Sequence, residues 1–225
     1  MPTADEGETA VLCARSVGWA CEGRWVLLDA TLALAPSSVT VVWGANGAGK
    51  STLLKICAGL MQPDRGSVEL SGRDFADLDP AAVASRVAWL GHEPALYLDL
   101  SATENLLLSS TLMGDPQPVA RVLAALASVG VAVADCHRPV RGFSRGMQQR
   151  TALARMAMAP QSVWLLDEPA TGLDADGVRI LAHILDTARV HGRAIVVASH
   201  DFSFLGQADA WWQLRNGALT AGQPR

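Results

Sequence analysis

The period of apolar and polar positions changes along this chain, and each change marks an element. Residues 10–34 read as strands with a turn at Glu22-Gly23, and Pro36-Ser37-Ser38 makes the next turn. Val39-Thr40-Val41-Val42-Trp43 is a β-branched apolar run, the pattern of a buried strand. Residues 52–60 switch to a helical spacing, with Leu53, Leu54, Ile56, Cys57 and Leu60 apolar and Gly59 at the end. Residues 67–70 predict a short edge strand, 80–86 a short helix, and 87–90 a buried strand that stops at Gly91-His92-Glu93-Pro94.

From about residue 95 to 160 the period is helical and no strand is predicted. Ser101-Ala102-Thr103-Glu104 is a capping box opening a helix that continues to Met113. A second helix covers 119–129, stopped by Gly130, and a third covers 146–158, stopped by Pro160. The α/β pattern then resumes. Residues 163–166 form a fully apolar run, 176–191 a helix ending at Gly192, and 194–199 a second buried strand. Residues 211–214 and 218–220 predict a terminal hairpin around Asn216-Gly217. The expected organisation is one α/β domain over 10–225, its core formed by 10–94 and 161–225 and a helical insertion near 95–160.

Composition narrows the function classes. The net charge of −4 shows no basic excess, so a nucleic-acid surface is not expected. Cys13, Cys21, Cys57 and Cys136 have no CxxC spacing, so no metal cluster is expected. The acidic, polar residues 1–9 do not read as a signal peptide, and no apolar run approaches the ~18 to 20 residues of a membrane helix. Lys50 and Lys55 are the only lysines, which singles out a lysine placed in a glycine-rich loop.

That loop is Gly44-Ala45-Asn46-Gly47-Ala48-Gly49-Lys50-Ser51, the pattern G-x-x-x-x-G-K-[ST] between a strand and a helix. Its glycines let backbone N–H groups converge on a phosphate, and the following helix, beginning near Thr52, adds the positive end of its dipole. Lys50 supplies charge to the β and γ phosphates, and Ser51 a hydroxyl to Mg²⁺. Asp167-Glu168 follows the apolar run at 163–166, so two carboxylates stand at the end of a central strand. Asp167 is the candidate metal ligand, and Glu168, pointing the other way, the candidate general base. His200, after the next apolar strand, can hydrogen-bond the γ-phosphate and the attacking water.

Phe143-Ser144-Arg145-Gly146-Met147-Gln148-Gln149-Arg150 precedes the third helix of the insertion, and Ser144 can cap it. Its exposed N–H groups form a second anion site. One γ-phosphate hardly needs two helix N-termini from distant segments, so this one is expected to serve the nucleotide of a second copy.

Taken together, Gly44 to Ser51, Ser144 to Arg150, Val163 to Glu168, Gly172-Leu173-Asp174 and His200 resemble the ATP-binding cassette (ABC) transporter ATPases. The resemblance covers almost the whole chain. It implies a P-loop NTPase fold: a RecA-like parallel core, an antiparallel β subdomain and a helical subdomain. It implies ATP and Mg²⁺ as cofactors and a head-to-tail dimer in which Ser144 and Gly146 of one copy meet ATP on the other. Asp174 would lie in the loop coupling the two sites. Integral membrane subunits are the further partners, with the ATPase peripheral at the cytoplasmic face of the cell membrane.

Three positions depart from the family pattern. The signature reads Phe-Ser-Arg-Gly-Met, so Arg145 and Met147 are unusual while Ser144 and Gly146 are kept. His92 stands where the family has a glutamine that reaches Mg²⁺ and its water, which makes His92 an ATP-site and metal-site candidate. Trp19 and Trp25 are both candidates for stacking on adenine. Gly91-His92-Glu93-Pro94 with Leu100-Ser101-Ala102-Thr103-Glu104-Asn105-Leu106 is similar to the heme-exporter ATPases of cytochrome c maturation. Exporters of drugs, lipids or polysaccharides are the alternative within the class. A soluble cassette ATPase, which usually carries two cassettes or a long coiled-coil insertion, is the alternative outside it.

Overall fold

The computed structural model describes residues 10–202, 204–206 and 208–224, so the reading of residues 1–9 lies outside the described part. Its ten strands join in one sheet, and two packing layers, one on each face, explain why they do. The strands are β1 (Leu12–Cys21), β2 (Arg24–Leu34), β3 (Val39–Trp43), β4 (Arg65–Leu70), β5 (Arg73–Asp74), β6 (Val87–Leu90), β7 (Val163–Asp167), β8 (Ala194–Ala198), β9 (Ala210–Arg215) and β10 (Ala218–Ala221). Their order is β5-β4-β1-β2-β10-β9-β3-β8-β7-β6. Strands β3, β6, β7 and β8 pair in parallel, and β1, β2, β4 and β5 pair antiparallel. The C-terminal hairpin joins the two halves: β9 runs parallel to β3, and β10 is bridged to β2 at Ala218↔Asp29. Both turn residues of the hairpin have positive φ, 50° at Asn216 and 76° at Gly217, as its tight turn requires.

Alternation along the buried strands assigns the two layers. Val163, Leu165, Ala194, Val196 and Ala198 face a core shared with α1 (Lys50–Cys57), whose Leu53, Leu54, Ile56 and Cys57 are buried there. Trp164, Leu166, Ile195 and Val197 face the opposite core, shared with α3 (Ala102–Leu112), α4 (Val119–Ser128), α5 (Arg145–Ala157) and α6 (Ala175–Val190). Leu54 is fully buried, so its truncation to alanine would cost about 2–5 kcal/mol. The capping box forms as read: the Glu104 backbone N–H donates to Ser101 Oγ at 3.2 Å, and the Ser101 N–H donates to Glu104 Oε2 at 2.8 Å.

The sequence reading needs amendment in three places. The strand expected at 67–70 starts at Arg65 and is not the edge, because the two-residue β5 pairs along its outer side. A 3-10 turn at Phe75–Asp77 precedes α2 (Pro80–Ala84). Helix α1 begins at Lys50 rather than residue 52 and closes before Gly59, whose φ is 71°. The three α-helices expected between β6 and β7 form, and in α5 Gln149 Nε2 donates to Pro169 O at 2.8 Å. Among the described residues no helix is long and apolar enough to cross a membrane.

Candidate functional site

The loop between β3 and α1 is shaped by close approaches. A Cβ on Gly44 would stand 2.4 Å from the Leu214 carbonyl oxygen, and φ there is 156°, so no other residue fits. Trp43, just before it, donates its indole N–H to Gly222 O at 2.7 Å, tying the loop's entry to the C-terminal segment. Gly49 enters α1 with φ 102°. Lys50 is 6% exposed and donates to the carbonyls of Gly44 at 2.9 Å and Ala45 at 3.1 Å. An ammonium has three donors, so the fold aligns the group and leaves one for an anion over the loop. Ala45, Asn46 and Gly47 are exposed, Ala48 packs on the core beneath them, and Ser51 and Thr52 open the first turn of α1.

Asp167 ends β7, 3% exposed, and its Oδ1 is a buried oxygen without a hydrogen-bond partner. Burial raises its pKa above the ordinary aspartate value. The Ser51 hydroxyl counteracts this, Glu168 adds to it, and His92 and Lys50 oppose it. The fold therefore brings Lys50, Ser51, His92, Asp167 and Glu168 within electrostatic range of one another. An orphaned buried carboxylate oxygen next to a serine hydroxyl fits a hard divalent cation with oxygen ligands.

Glu168 has a left-handed backbone, φ 49°, an unfavourable conformation, and its N–H donates to Ala198 O at 2.8 Å. Its carboxylate accepts the Ser199 hydroxyl at 3.0 Å and lies 3.0 Å from His200 Nδ1. Ser199 is 1% exposed and accepts the Asp201 N–H at 3.2 Å, so its rotamer is fixed from both sides. Sequence reasoning gave Ser199 no role. The available signal was a polar residue ending a fully apolar strand beside a candidate histidine.

The remaining candidates gather elsewhere. Ser144 caps α5, accepting the Met147 N–H at 3.2 Å. Gly146 lies close to Gly172: a Cβ on Gly146 would stand 3.0 Å from Gly172 O. Asp174 caps α6 through the Gly177 N–H at 2.8 Å and pairs with Arg150 at 2.5 Å, and these contacts hold its carboxyl below the usual range. Its side chain is thus committed to fold contacts in this conformation. Arg145 and His92 meet, Arg145 Nη2 lying 3.1 Å from His92 Nε2. Of the two tryptophans, Trp19 is half-buried against the core, while Trp25, 37% exposed, carries the Arg65 guanidinium 4.5 Å over its ring.

Known proteins are similar to this chain in sequence and in fold. The ABC transporter family profile matches residues 27–171. The cytochrome c biogenesis ATP-binding export protein CcmA of Cupriavidus necator is 40% identical over 191 residues, spanning 84% of this chain and 83% of that protein. The protein of the same name from Methylococcus capsulatus is 37% identical, spanning 85% and 91%. Among solved structures, an ATP-binding cassette dimer in a post-hydrolysis state, bound to ADP and Pi, superposes with a TM-score of 0.85 at 22% identity, over 95% of this chain and 99% of that one.

Proposed function

The chain belongs to the ABC transporter family, and from that premise we propose that it powers an export step of cytochrome c biogenesis, with heme as the cargo. ATP binding, ATP hydrolysis and the coupling of that energy to export come with the family. The narrower assignment is supported by the CcmA relatives and by the Gly91-His92 pair in the heme-exporter position.

The observation that carries the hydrolytic reading is the pair of carboxylates at the end of β7. Asp167 keeps an unpartnered oxygen beside Ser51, while Glu168 is aimed by Ser199 and His200. In this reading the backbone of Gly44 to Lys50 wraps the phosphates, Lys50 adds its remaining donor, and Thr52 extends the contacts from α1. Ser51 and Asp167 would hold Mg²⁺, with His92 reaching its water shell; the ion supplies charge neutralisation to the β and γ phosphates. Glu168 takes the proton of the attacking water, and His200 holds the carboxylate and the γ-phosphate in one geometry. The charge that builds on the transferred group meets the N–H groups at the start of α5 from the other copy, with Ser144 and Gly146 facing it.

The assembly we propose is a head-to-tail dimer at the cytoplasmic face of the cell membrane, docked on membrane-spanning subunits. Residues 10–94 and 161–225 act as the nucleotide-holding body and about 95–160 as the part that moves. A groove of about 520 Å³, lined in part by Ala81, Ala84, Tyr97, Leu112 and Met113, suits a helix of such a subunit, since Tyr97 and Leu112 are exposed. Arg155 links this groove to the site by donating to Pro94 O at 2.8 Å and Ala95 O at 2.6 Å, just past His92. Purification of the tagged chain from native membranes tests the assignment. Multi-span proteins and bound heme are expected; membranes that yield the chain without either would overturn it.

A further inference from the structure

Two of the positions that depart from the family pattern, His92 and Arg145, are 53 residues apart and lie in contact with each other. A guanidinium only donates, so His92 Nε2 is the acceptor in this contact. The aliphatic stem of Arg145 lies against Gly172, where a Cβ would stand 3.2 Å from its Cγ. Arg145 therefore spans two segments: the one after β6 that carries His92, and the one after β7 that runs through Gly172 to Asp174. Each is tied to the carboxylates, since His92 acts on Asp167 and the second segment begins at Glu168. Arg145 also shares the first turn of α5 with Gly146 and follows the cap Ser144.

We propose that Arg145 is a positioning residue that links the two nucleotide sites of the dimer, an inference that rests on the head-to-tail reading above. Through His92 it senses the nucleotide held by its own chain, and it sits in the turn that meets the nucleotide of the other. Replacing Arg145 by a small or neutral residue in this chain would leave each site to act independently. The pairing of the two departures follows from this: a histidine that accepts and an arginine that donates replace whatever couples these segments in chains lacking both.

The test measures ATP hydrolysis against ATP concentration for the chain in complex with its membrane partners. For two coupled sites the Hill coefficient is expected to approach about 2. Arg145→Ala should lower it toward about 1 while leaving ATP binding to the isolated chain within about twofold, and Arg145→Lys should restore part of the cooperativity. Combining Arg145→Ala with His92→Gln should reduce cooperativity no further than Arg145→Ala alone, because one contact is lost either way. An unchanged Hill coefficient in Arg145→Ala, or additive losses in the double variant, would overturn the proposal. A Glu168→Gln chain run in parallel separates the two claims: if it forms an ATP-dependent dimer while Arg145→Ala stays cooperative, only the linking role falls. If it forms none, the dimer reading falls too.

Discussion

Asp167 and Ser199 are 3% and 1% exposed, and Glu168 is held by two neighbours at 3.0 Å. At the start of α5, by contrast, Ser144 and Arg145 lie open to solvent, Ser144 holding the cap bond and Arg145 meeting His92 and Gly172. The first region has buried polar groups fixed at some cost: an orphaned carboxylate oxygen and a left-handed glutamate. The second shows no comparable investment. On the proposed reading, the first half is prepared before ATP arrives and the second is completed by what docks on it.

The largest effect that would break this contrast is at the prepared half. Glu168→Gln should lower turnover by about 10²–10⁴-fold with ATP binding retained, measured by phosphate release and equilibrium binding; undiminished hydrolysis would remove Glu168 as the base. At the open half, Ser144→Arg should abolish most hydrolysis while ATP affinity of the isolated chain is unchanged. Weakened binding to the isolated chain would mean that α5 serves its own nucleotide. Ser199→Ala sharpens the comparison further: kcat should drop about tenfold at constant KM, with Ser199→Thr recovering most of it.

Two smaller effects concern stability and have opposite pH signs. Burial raises the pKa of Asp167, so its ionised form costs folding free energy at neutral pH, and the cost fades as the pH falls and the carboxyl protonates. Asp167→Asn should thus raise the Tm of the nucleotide-free chain at neutral pH, by about 2–4 °C per kcal/mol regained, with the gain shrinking in acid and hydrolysis lost throughout. Glu104 is the reverse case. Its bonds from the Ser101 backbone and hydroxyl lower its pKa, so its contribution is present above the ordinary glutamate value of about 4.3 and is lost as the pH falls through the lower folded value. Glu104→Gln should lower Tm slightly at neutral pH and match the parent chain in strong acid.

Much of this contrast could be read from residues alone, because its causes are local. The apolar runs at 163–166 and 194–199 located the two buried strands, and the G-x-x-x-x-G-K-[ST] pattern located the loop between β3 and α1. What escaped depends on contacts between distant segments. Periodicity cannot show that β10 lies between β2 and β9, or that two residues after Ser71-Gly72 form the sheet edge. Nor does it show that Asp174 is spent on capping α6 and pairing with Arg150. The Ser199–Glu168 bond spans 31 positions and the Arg145–His92 contact 53; each needs the strand register or the loop path before it can be drawn.

The central claim is that the chain carries half of each site and that its α5 start completes another copy's. Sedimentation of Glu168→Gln with saturating ATP and Mg²⁺ tests this most directly. A dimer that dissociates when ATP is withheld, and that fails to form once Ser144→Arg is added although ATP still binds, is the expected result. A chain that stays monomeric when saturated with ATP, or that dimerises equally well with Ser144→Arg, would contradict it.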